Sequence, residues 1–379
     1  QNCNIKPLFI KGFRNQVDID ILGISGTIRQ GLGKGKLDTL YSSRGDSTGK
    51  FIRGKSPKIV SSGSYADHRK IILILCKVGN MIVELKGHDQ NQSDHYDDTE
   101  TIQSAIDKVT ILGGGIVKLR EGFFFSGPLL LRSMVHLYID AGATLSFIYD
   151  MDRYPPVWTR WEGVECWAMQ PLLFAQNSHH ISISGSGTID GNGSPWWKVL
   201  NEARSINRRE PLYPIEQRLA ALNPSYRDQP SGGGGRELQF LRPPLLQFLH
   251  SSNIELRDIT LQNSPFWNTH LVYSNTITIT NVHFINPHDA PNTDGLNIDS
   301  CTDVTVKDCL FDVGDDCLGL KSGAGVDGLR IGKPTEHVMI HGCTMRGGHG
   351  GVVIGSETAG GIRDVSIESC TMIGTDRGL

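Results

Sequence analysis

The stretch Val304-Thr-Val-Lys-Asp-Cys-Leu-Phe311 contains two short alternating runs of apolar residues, separated by a two-residue corner. Alternation of apolar and polar residues is typical of a β-strand with one buried face. The full pattern, apolar-x-apolar-x-x-apolar-x-apolar, returns along the chain with starts that are 23, 27, 34 and 27 residues apart. Its further copies occupy residues 254–261, 277–284, 338–345 and 365–372.

One copy of this pattern is too small to close a hydrophobic core, whereas stacked copies bury a continuous one. The repeat therefore predicts an all-β solenoid, a parallel β-helix whose variable spacing is absorbed by loops. The main alternative is a propeller or a sandwich of short antiparallel strands. Hairpin signals such as Asn-Gly between alternating runs are rare in the chain, and this favours the β-helix.

Charge and composition vary along the 379-residue chain. Residues 1–85 hold 14 Lys and Arg against 6 Asp and Glu, and residues 31–63 are rich in Gly, Ser and Lys. We interpret residues 1–85 as an unassigned basic segment without a specific binding role. A β-helix domain is predicted for residues 97–379, opening with a capping helix over 98–107. Residues 200–243 interrupt the repeats and predict a long loop or a short helical insertion.

Composition argues against several classes of protein. The net charge of -3 is not that of a nucleic-acid-binding polycation, and the longest apolar run is far shorter than a membrane span. The eight cysteines form no CxxC motif and no zinc-like cluster. We expect Cys309, Cys343 and Cys370 to face the core at equivalent repeat positions. A disulfide between Cys317 and Cys343 is left open.

Three carboxylates and one histidine follow the repeats. Asp294 lies in Asn292-Thr-Asp-Gly295, Asp315 and Asp316 lie in Gly314-Asp-Asp-Cys317, and His349 lies in Gly348-His-Gly350. Asp294 and Asp315 are 21 residues apart, about the length of one coil. Since adjacent coils stack at about 4.8 Å, we expect these groups to line one groove.

Crowded carboxylates suit acid and base catalysis. Hydrolysis of a glycosidic bond needs one carboxylic acid to protonate the leaving oxygen and one carboxylate to activate water. Crowding raises the pKa of one member of such a set and keeps it protonated as the acid. Taken singly, an Asp-Asp pair is more often a surface turn, and an oxygen cluster also suits a calcium ion. The order of the motifs on successive repeats favours the catalytic interpretation.

The region 242–379 resembles glycoside hydrolase family 28, the polygalacturonases and their relatives, and a weaker resemblance covers residues 97–190. The motifs that carry it are Asn263-Ser-Pro-Phe-Trp-Asn268, Asn292-Thr-Asp-Gly-Leu296, Gly314-Asp-Asp-Cys-Leu-Gly-Leu-Lys-Ser-Gly323 and Gly347-Gly-His-Gly-Gly-Val-Val-Ile-Gly-Ser-Glu357. The resemblance implies a right-handed parallel β-helix that hydrolyses α-linked galacturonan with inversion, without a metal or a cofactor.

The resemblance also implies roles for matched positions. Asp315 is expected to be the general acid, Asp294 and Asp316 to position and deprotonate water, and His349 to support the acid and contact the sugar. Lys321 is a candidate partner for a substrate carboxylate, with a solvated lysine at a coil edge as the alternative.

Three further positions are less specific. His270 and Asn292 are weaker candidates for the cleft, and Trp267 is either a core residue or a sugar platform.

Both ends of the chain depart from the family pattern. The family carries a basic Arg-x-Lys motif one repeat after the Gly-His-Gly motif, and this chain stops at residues 376–379, where that motif is expected to begin. No initiator Met or leader opens the chain. We therefore expect a truncated product, a fragment or an incomplete gene model.

The expected partner is a pectic polysaccharide, and we expect neither nucleic acid nor a membrane as a partner. We expect the protein to be a monomer. We also expect it to be secreted, because the substrate lies in cell walls. Three other functions stay open: hydrolysis of another pectic polymer such as rhamnogalacturonan, a noncatalytic carbohydrate-binding β-helix, and a calcium-dependent pectate lyase. An insertion over 200–243 that closes one end of the groove favours action at chain ends.

Overall fold

A computed structural model describes residues 81–89, 96–228 and 236–379 with side chains, and only the backbone of short strands before them. The chain divides into two units, residues 1–69 with 76–79, and residues 70–75 with 80–379. In the first unit, strands Val17–Ile21, Ile24–Ile28 and Ser42–Ser43 form an antiparallel sheet. Most of the Gly-, Ser- and Lys-rich tract lies outside the described residues.

The second unit is a parallel β-helix of three long sheets, in which each coil adds one strand to each sheet in turn. We call these the first, second and third sheets, and sequentially successive coils pair in parallel, as strands Asn275–Thr280 and Thr302–Lys307 do. The first sheet consists of Leu73–Lys77, Asn80–Lys86, Gly115–Arg120, Val135–Ile139, His179–Ser184, Ser252–Arg257, Asn275–Thr280, Thr302–Lys307, Thr335–His341 and Ile362–Glu368.

The second and third sheets complete each coil. The second sheet consists of Gly122–Ser126, Ala143–Phe147, Thr188–Asp190, Thr260–Gln262, His283–Ile285, Leu310–Asp312, Thr344–Arg346 and Thr371–Ile373. The third sheet consists of Leu129–Leu131, Leu173–Gln176, Leu246–Leu249, Thr269–Val272, Leu296–Asp299, Leu318–Lys321 and Val352–Ile354. Parallel stacking confirms the β-helix and is incompatible with the antiparallel alternatives. Strand Asn80–Lys86 also pairs with Gly115–Arg120, so the coils begin before residue 97.

The repeat pattern corresponds to the first and second sheets. In Thr302–Lys307 the side chains of Val304 and Val306 are buried, and Phe311 is buried in the following second-sheet strand. The corner between the two strands needs a left-handed residue, and Asp308 takes that conformation at φ 53°. Inside the coils, equivalent residues stack, and the Phe284 and Phe311 rings lie 4.7 Å apart with an interplanar angle of 2°.

The cysteines of the repeat line the core as expected. Cys309 and Cys343 are buried and Cys370 is half-buried. All six cysteines in the part of the chain with described side chains are free, so Cys317 and Cys343 form no disulfide there. Burial raises the pKa of Cys317 to about 12, and its thiol is therefore neutral at ordinary pH.

Helices decorate the coils. Helix Thr99–Ile111 confirms the predicted capping helix and buries one apolar face that includes Ile102 and Ile106. Helix Ser194–Ser205 leads into the predicted insertion over 200–243, which contains helix Pro214–Leu222 and the 3₁₀ helix Tyr226–Asp228. The remaining helical elements of the described residues are the 3₁₀ helix Met151–Arg153 and helix Gly325–Ile331. None of the helices over the described residues has the length and apolar composition needed to cross a membrane.

One element stands outside the coils. Strands Pro156–Trp161 and Val164–Met169 form an antiparallel hairpin, which we call the hairpin. Its two-residue turn, Glu162 and Gly163, has φ of 41° and 72°. Positive φ at both central residues matches the right-handed twist of the flanking strands.

Candidate active site

The turns that lead into the third sheet bring the predicted carboxylates together. Asp294 lies two residues before strand Leu296–Asp299, and Asp316 lies two residues before strand Leu318–Lys321, which pairs with it in parallel. The Gly295 N–H donates to the Asp316 carbonyl over 2.9 Å. The two aspartates therefore occupy equivalent positions on adjacent coils.

His349 joins the cluster from the next coil. Its Nδ1 atom lies 3.2 Å from Asp315 Oδ1. One nitrogen of His349 and one oxygen each from Asp315 and Asp316 lie within 4.8 Å of one another. The side chains of Asp294, Asp315 and His349 are 5%, 20% and 63% exposed, so accessibility rises along the coils.

The surroundings oppose full ionisation of the cluster. Burial raises the pKa of Asp294 well above its usual range, the Asp315 carboxylate raises it further, and Lys321 acts in the opposite direction. Burial also raises the pKa of Asp316, again opposed by Lys321. The Asn297 amide donates to Asp294 Oδ2 over 2.9 Å and stabilises the ionised form. The cluster is therefore suited to sharing a proton.

Lys321 is buried beside this cluster rather than solvated at a coil edge. Its Nζ atom lies 2.7 Å from Glu357 Oε2 and 3.9 Å from Asp294 Oδ2. The Trp267 ring lies beneath it, with 4.7 Å between Nζ and the ring centroid. Burial alone lowers the pKa of Lys321, but Glu357 and Asp294 outweigh it and raise the pKa. The lysine is thus a fixed cation between two carboxylates.

Asn292 and His270 occupy different settings. Asn292 is half-buried, and its Oδ1 accepts a hydrogen bond from Arg242 Nη2 over 2.8 Å. The His270 ring is enclosed between the Gln247 amide at 2.9 Å and Asp299 Oδ2 at 3.4 Å. Burial lowers the pKa of His270 and favours its neutral form. Asn292 thus lies in the turn that carries Asp294, at the edge of the cluster. His270 lies within the third sheet, in strand Thr269–Val272.

The outward side chains of the third sheet are covered. Gln247, His270, Asn297, Asp299 and Lys321 point away from the coil interior in register, yet each is at most 6% exposed. We call these five residues the covered face.

The hairpin supplies much of the cover. Thr159 donates to Gln247 over 2.6 Å, and Arg160 donates to Asp299 over 2.7 Å. At its turn, the Gly163 carbonyl accepts from the Ala324 N–H over 2.8 Å.

Several residues of the site were absent from the sequence-based prediction. Glu357 lies inside one of the motifs that identified the cluster and Asn297 directly follows another, so their positions were an available signal. Arg160 carried no such signal, because its partner Asp299 is 139 residues away. Arg236 and Glu162 form a further buried pair at 3.6 Å next to the hairpin turn.

A cation has one candidate set of ligands among the residues with described side chains, namely Asp315, Asp316 and His349. Calcium takes about six to eight oxygen ligands, far more than two carboxylates and one imidazole supply. Water or substrate oxygens would have to complete its coordination. The set therefore fits acid and base chemistry more directly than a dedicated calcium site.

The fold and the site together define a parallel β-helix with an acidic cluster at the entrance to its third sheet. The family model described as glycosyl hydrolases family 28 matches residues 232–379. A hyperthermoactive exopolygalacturonase from Thermotoga maritima has 31% sequence identity and a TM-score of 0.64, over 76% of this chain and 68% of that chain. The chain belongs to glycosyl hydrolases family 28. This confirms the resemblance drawn from the motifs, including the right-handed form of the β-helix.

Two further relatives define the extent of the match. A "Probable polygalacturonase" from Vitis vinifera is 30% identical over 291 residues, which cover 74% of this chain and 52% of that protein. An "Endo-polygalacturonase" from Pectobacterium carotovorum subsp. carotovorum is 29% identical, over 74% of this chain and 63% of that protein. The chain spans about half the length of the first of these.

Proposed function

We propose that this protein is a glycoside hydrolase that cleaves α-1,4-galacturonan, the backbone of pectin, by carboxylate acid and base catalysis. The observation that carries the proposal is the stacking of Asp294 and Asp316 on adjacent coils, with Asp315 paired to His349 at 3.2 Å. Relatives named polygalacturonase and endo-polygalacturonase support the choice of polymer.

In the proposed reaction, Asp315 gives its proton to the glycosidic oxygen as the bond from that oxygen to the anomeric carbon breaks. A water molecule forms the new bond to the same carbon and gives its proton to Asp294 or Asp316. His349 lies against Asp315 and is exposed enough to contact a sugar. The proposal of inversion rests on the family resemblance alone. The distance does not support it, because one oxygen of Asp315 and one of Asp316 lie within 4.8 Å, closer than the roughly 6.5–9.5 Å between the carboxyl groups of most inverting pairs.

Substrate contacts are proposed at three positions. Asn292 lies two residues before Asp294 at the edge of the cluster and is half-buried. Lys321 and His270 remain candidates for contact with the uronate, although both side chains are enclosed in this structure. No organic cofactor or metal is assigned a role in the proposed reaction.

We also propose that the enzyme attacks its polymer from one end. Toward the N-terminal coils, buried Arg242 donates to the Pro291 carbonyl and to Asn292 Oδ1 beside Asp294, and buried Trp267 occupies the position equivalent to Asp294 on the preceding coil. The hairpin fills the neighbouring strip of the third sheet. A polymer that runs through the site in this direction would collide with the protein's own chain.

The first experiment is reducing-sugar release from polygalacturonic acid by the wild type, with and without EDTA, and by Asp315→Asn. We expect activity that survives EDTA and falls by about 10²–10⁴-fold in the variant, as for loss of a general acid. Asp303→Asn is the matched control, because Asp303 also lies beside a histidine, 3.4 Å from His337, but on the first sheet.

The outcomes separate the alternatives. Loss of activity in EDTA with an unsaturated product would identify a calcium-dependent lyase. Activity on rhamnogalacturonan alone would identify the other pectic hydrolase. A folded sample that binds pectin but releases no sugar would identify a carbohydrate-binding β-helix.

Product size tests the direction of attack. Chromatography over the first few per cent of hydrolysis is expected to detect one short product from the outset, with slow loss of viscosity. A ladder of intermediate oligomers with rapid loss of viscosity would contradict attack from one end.

We also propose that the protein is secreted, because pectin lies outside the cell. We further propose that it is a monomer without nucleic-acid or membrane partners. Light scattering of the purified chain and immunodetection in culture medium are the direct measurements.

A further inference from the structure

We propose that Glu357 and Lys321 are positioning residues that set the ionisation of Asp294, with Glu357 holding the lysine ammonium just short of direct contact with that carboxylate. This inference rests on the proposed function, in which Asp294 must be ionised to accept a proton from water. It assigns Lys321 a role within the protein, whereas the motif alone suggested a contact with substrate.

The distances around Lys321 distinguish its two carboxylate neighbours. The 2.7 Å from Nζ to Glu357 Oε2 is a charge-assisted hydrogen bond. The 3.9 Å from Nζ to Asp294 Oδ2 is beyond hydrogen-bond range but still a close charge contact. All three side chains are at most 8% exposed, so solvent screens these charges little. The positive charge of Lys321 therefore stabilises the Asp294 carboxylate without a direct hydrogen bond between them.

The position of the ammonium is fixed from more than one side. The Trp267 ring lies 4.7 Å from Nζ and favours a cation over its face. The Asn297 amide donates to Asp294 Oδ2, the same oxygen that faces the lysine. At 3.9 Å the Lys321 ammonium makes no direct hydrogen bond to Asp294, while Glu357 accepts a hydrogen bond from the ammonium and Asn297 donates one to the carboxylate.

Other charges act on the trio of Lys321, Glu357 and Asp294. Asp315 and Asp316, when ionised, add negative charge beside Asp294 and disfavour its ionisation. Among the residues with described side chains, Glu162, Arg236, His270 and Asp299 also act on members of the trio, and His349 acts on the neighbouring Asp316. Lys321 is the cation nearest to Asp294 among these groups, and it offsets the repulsion from two aspartates.

The two halves of this ion pair should have opposite effects on Asp294. Lys321→Met removes the offsetting cation, which raises the pKa of Asp294. Glu357→Gln removes a carboxylate and releases the lysine toward Asp294, which lowers that pKa. A unit charge at about 4 Å with an effective dielectric constant near 20 shifts a pKa by more than about one unit. A purely structural role would make both variants change in the same direction.

The test is the pH profile of kcat/KM on polygalacturonic acid for the wild type, Lys321→Met and Glu357→Gln. The acidic limb is expected to move up by about one pH unit or more in Lys321→Met and down in Glu357→Gln. Glu336→Gln is the control, because it removes a partly exposed carboxylate paired with Arg363 on the first sheet, and its profile is expected to match the wild type.

Several results would overturn the proposal. Shifts in the same direction for both variants, or no shift in either, would do so. A higher KM in Lys321→Met with an unmoved acidic limb would instead assign the lysine to substrate binding.

A second readout does not depend on activity. Carboxyl ¹³C NMR titration, assigned with Asp294→Asn, measures the pKa of Asp294 in each variant even if no pectic polymer is hydrolysed. An unchanged titration in both variants would refute the role of the pair. If a single variant fails to fold, Lys321→Met/Glu357→Met replaces both charges by apolar groups. Its Asp294 pKa is expected above the wild-type value, because the lysine acts on Asp294 more strongly than Glu357 does, and an unchanged value would contradict the proposal.

Discussion

On the outer face of the first sheet, Glu336 and Arg363 form an ion pair whose side chains are 23% and 63% exposed. Arg160 of the hairpin and Asp299 of the third sheet form one that is fully buried. Successive coils supply strands to both sheets, so the backbone does not explain the difference. The hairpin explains it, since it lies over the third sheet and leaves the first open.

The comparison separates charges that solvent stabilises from charges that only the protein stabilises. Exposed ion pairs contribute little to stability because water competes for both partners. Buried pairs pay a desolvation penalty that often exceeds their attraction, so stability alone is a weak reason for them. The covered face lies directly beside Asp294, which points to a role in shaping the acidic cluster.

The largest expected difference between the two faces comes from Arg160→Met. This change leaves Asp299 buried without its cation and removes the guanidinium that lies 4.7 Å from the centroid of the Tyr273 ring. We expect a loss of about 3–5 kcal/mol in the free energy of unfolding, measured by urea denaturation. Arg363→Met on the first sheet is the matched control and should leave the denaturant midpoint unchanged. Equal losses of stability in Arg160→Met and Arg363→Met would show that the buried pair and the exposed pair do not differ in their contribution to stability.

Two tryptophans of the hairpin repeat the comparison within one element. Trp161 is 2% exposed, stacks on Phe266 at 4.6 Å and donates to the Arg242 carbonyl over 3.0 Å. Trp158 is 46% exposed. Trp161→Ala is expected to lower the free energy of unfolding by about 3–4 kcal/mol, and Trp158→Ala by less than about 1 kcal/mol. Similar losses would mean that the hairpin is not docked as described.

The buried carboxylate at the hairpin turn gives a pH-dependent prediction. Burial raises the pKa of Glu162 from its ordinary 4.5 to about 7, against the attraction of Arg236. A raised folded-state pKa means that this group's contribution to stability is present below pH 4.5 and is lost as pH rises toward 7. Glu162→Gln should flatten the fall in melting temperature between pH 5 and 7. An unaltered slope would show that Glu162 stays ionised across that range.

The smallest expected effect is on the first sheet. Glu336→Gln removes one partner of an exposed pair, and we expect no change in melting temperature in 0.15 M salt. A clear destabilisation would show that the outer charges of the first sheet matter as much as those of the covered face.

The repeat pattern predicted two of the three sheets. Val304 and Val306 alternate with outward polar residues in the first sheet, and Phe311 is buried in the second. The third sheet gave no such signal, because both faces of strand Leu296–Asp299 are buried and all four of its residues are enclosed. Alternation vanishes where a sheet is covered on both sides.

The acidic cluster was accessible to sequence reasoning because its members recur at about one coil length, and the sequence places Asp294 and Asp316 correctly on neighbouring coils. The surroundings of the cluster were not accessible. Lys321 pairs with Glu357 36 residues away, and the hairpin contacts coils that follow it by far more. Side-chain partners of this kind depend on packing between distant segments and leave no periodic trace.

The hairpin also bears on the order in which the protein assembles. Coils of a solenoid contact mainly their neighbours and can be added one after another as the chain emerges. The hairpin bonds instead to residues 88 and 139 positions further on, in coils that are synthesised much later. It cannot dock until those coils exist. Because such distant contacts form slowly, we expect the hairpin to dock after the coils it contacts have formed and to couple their unfolding.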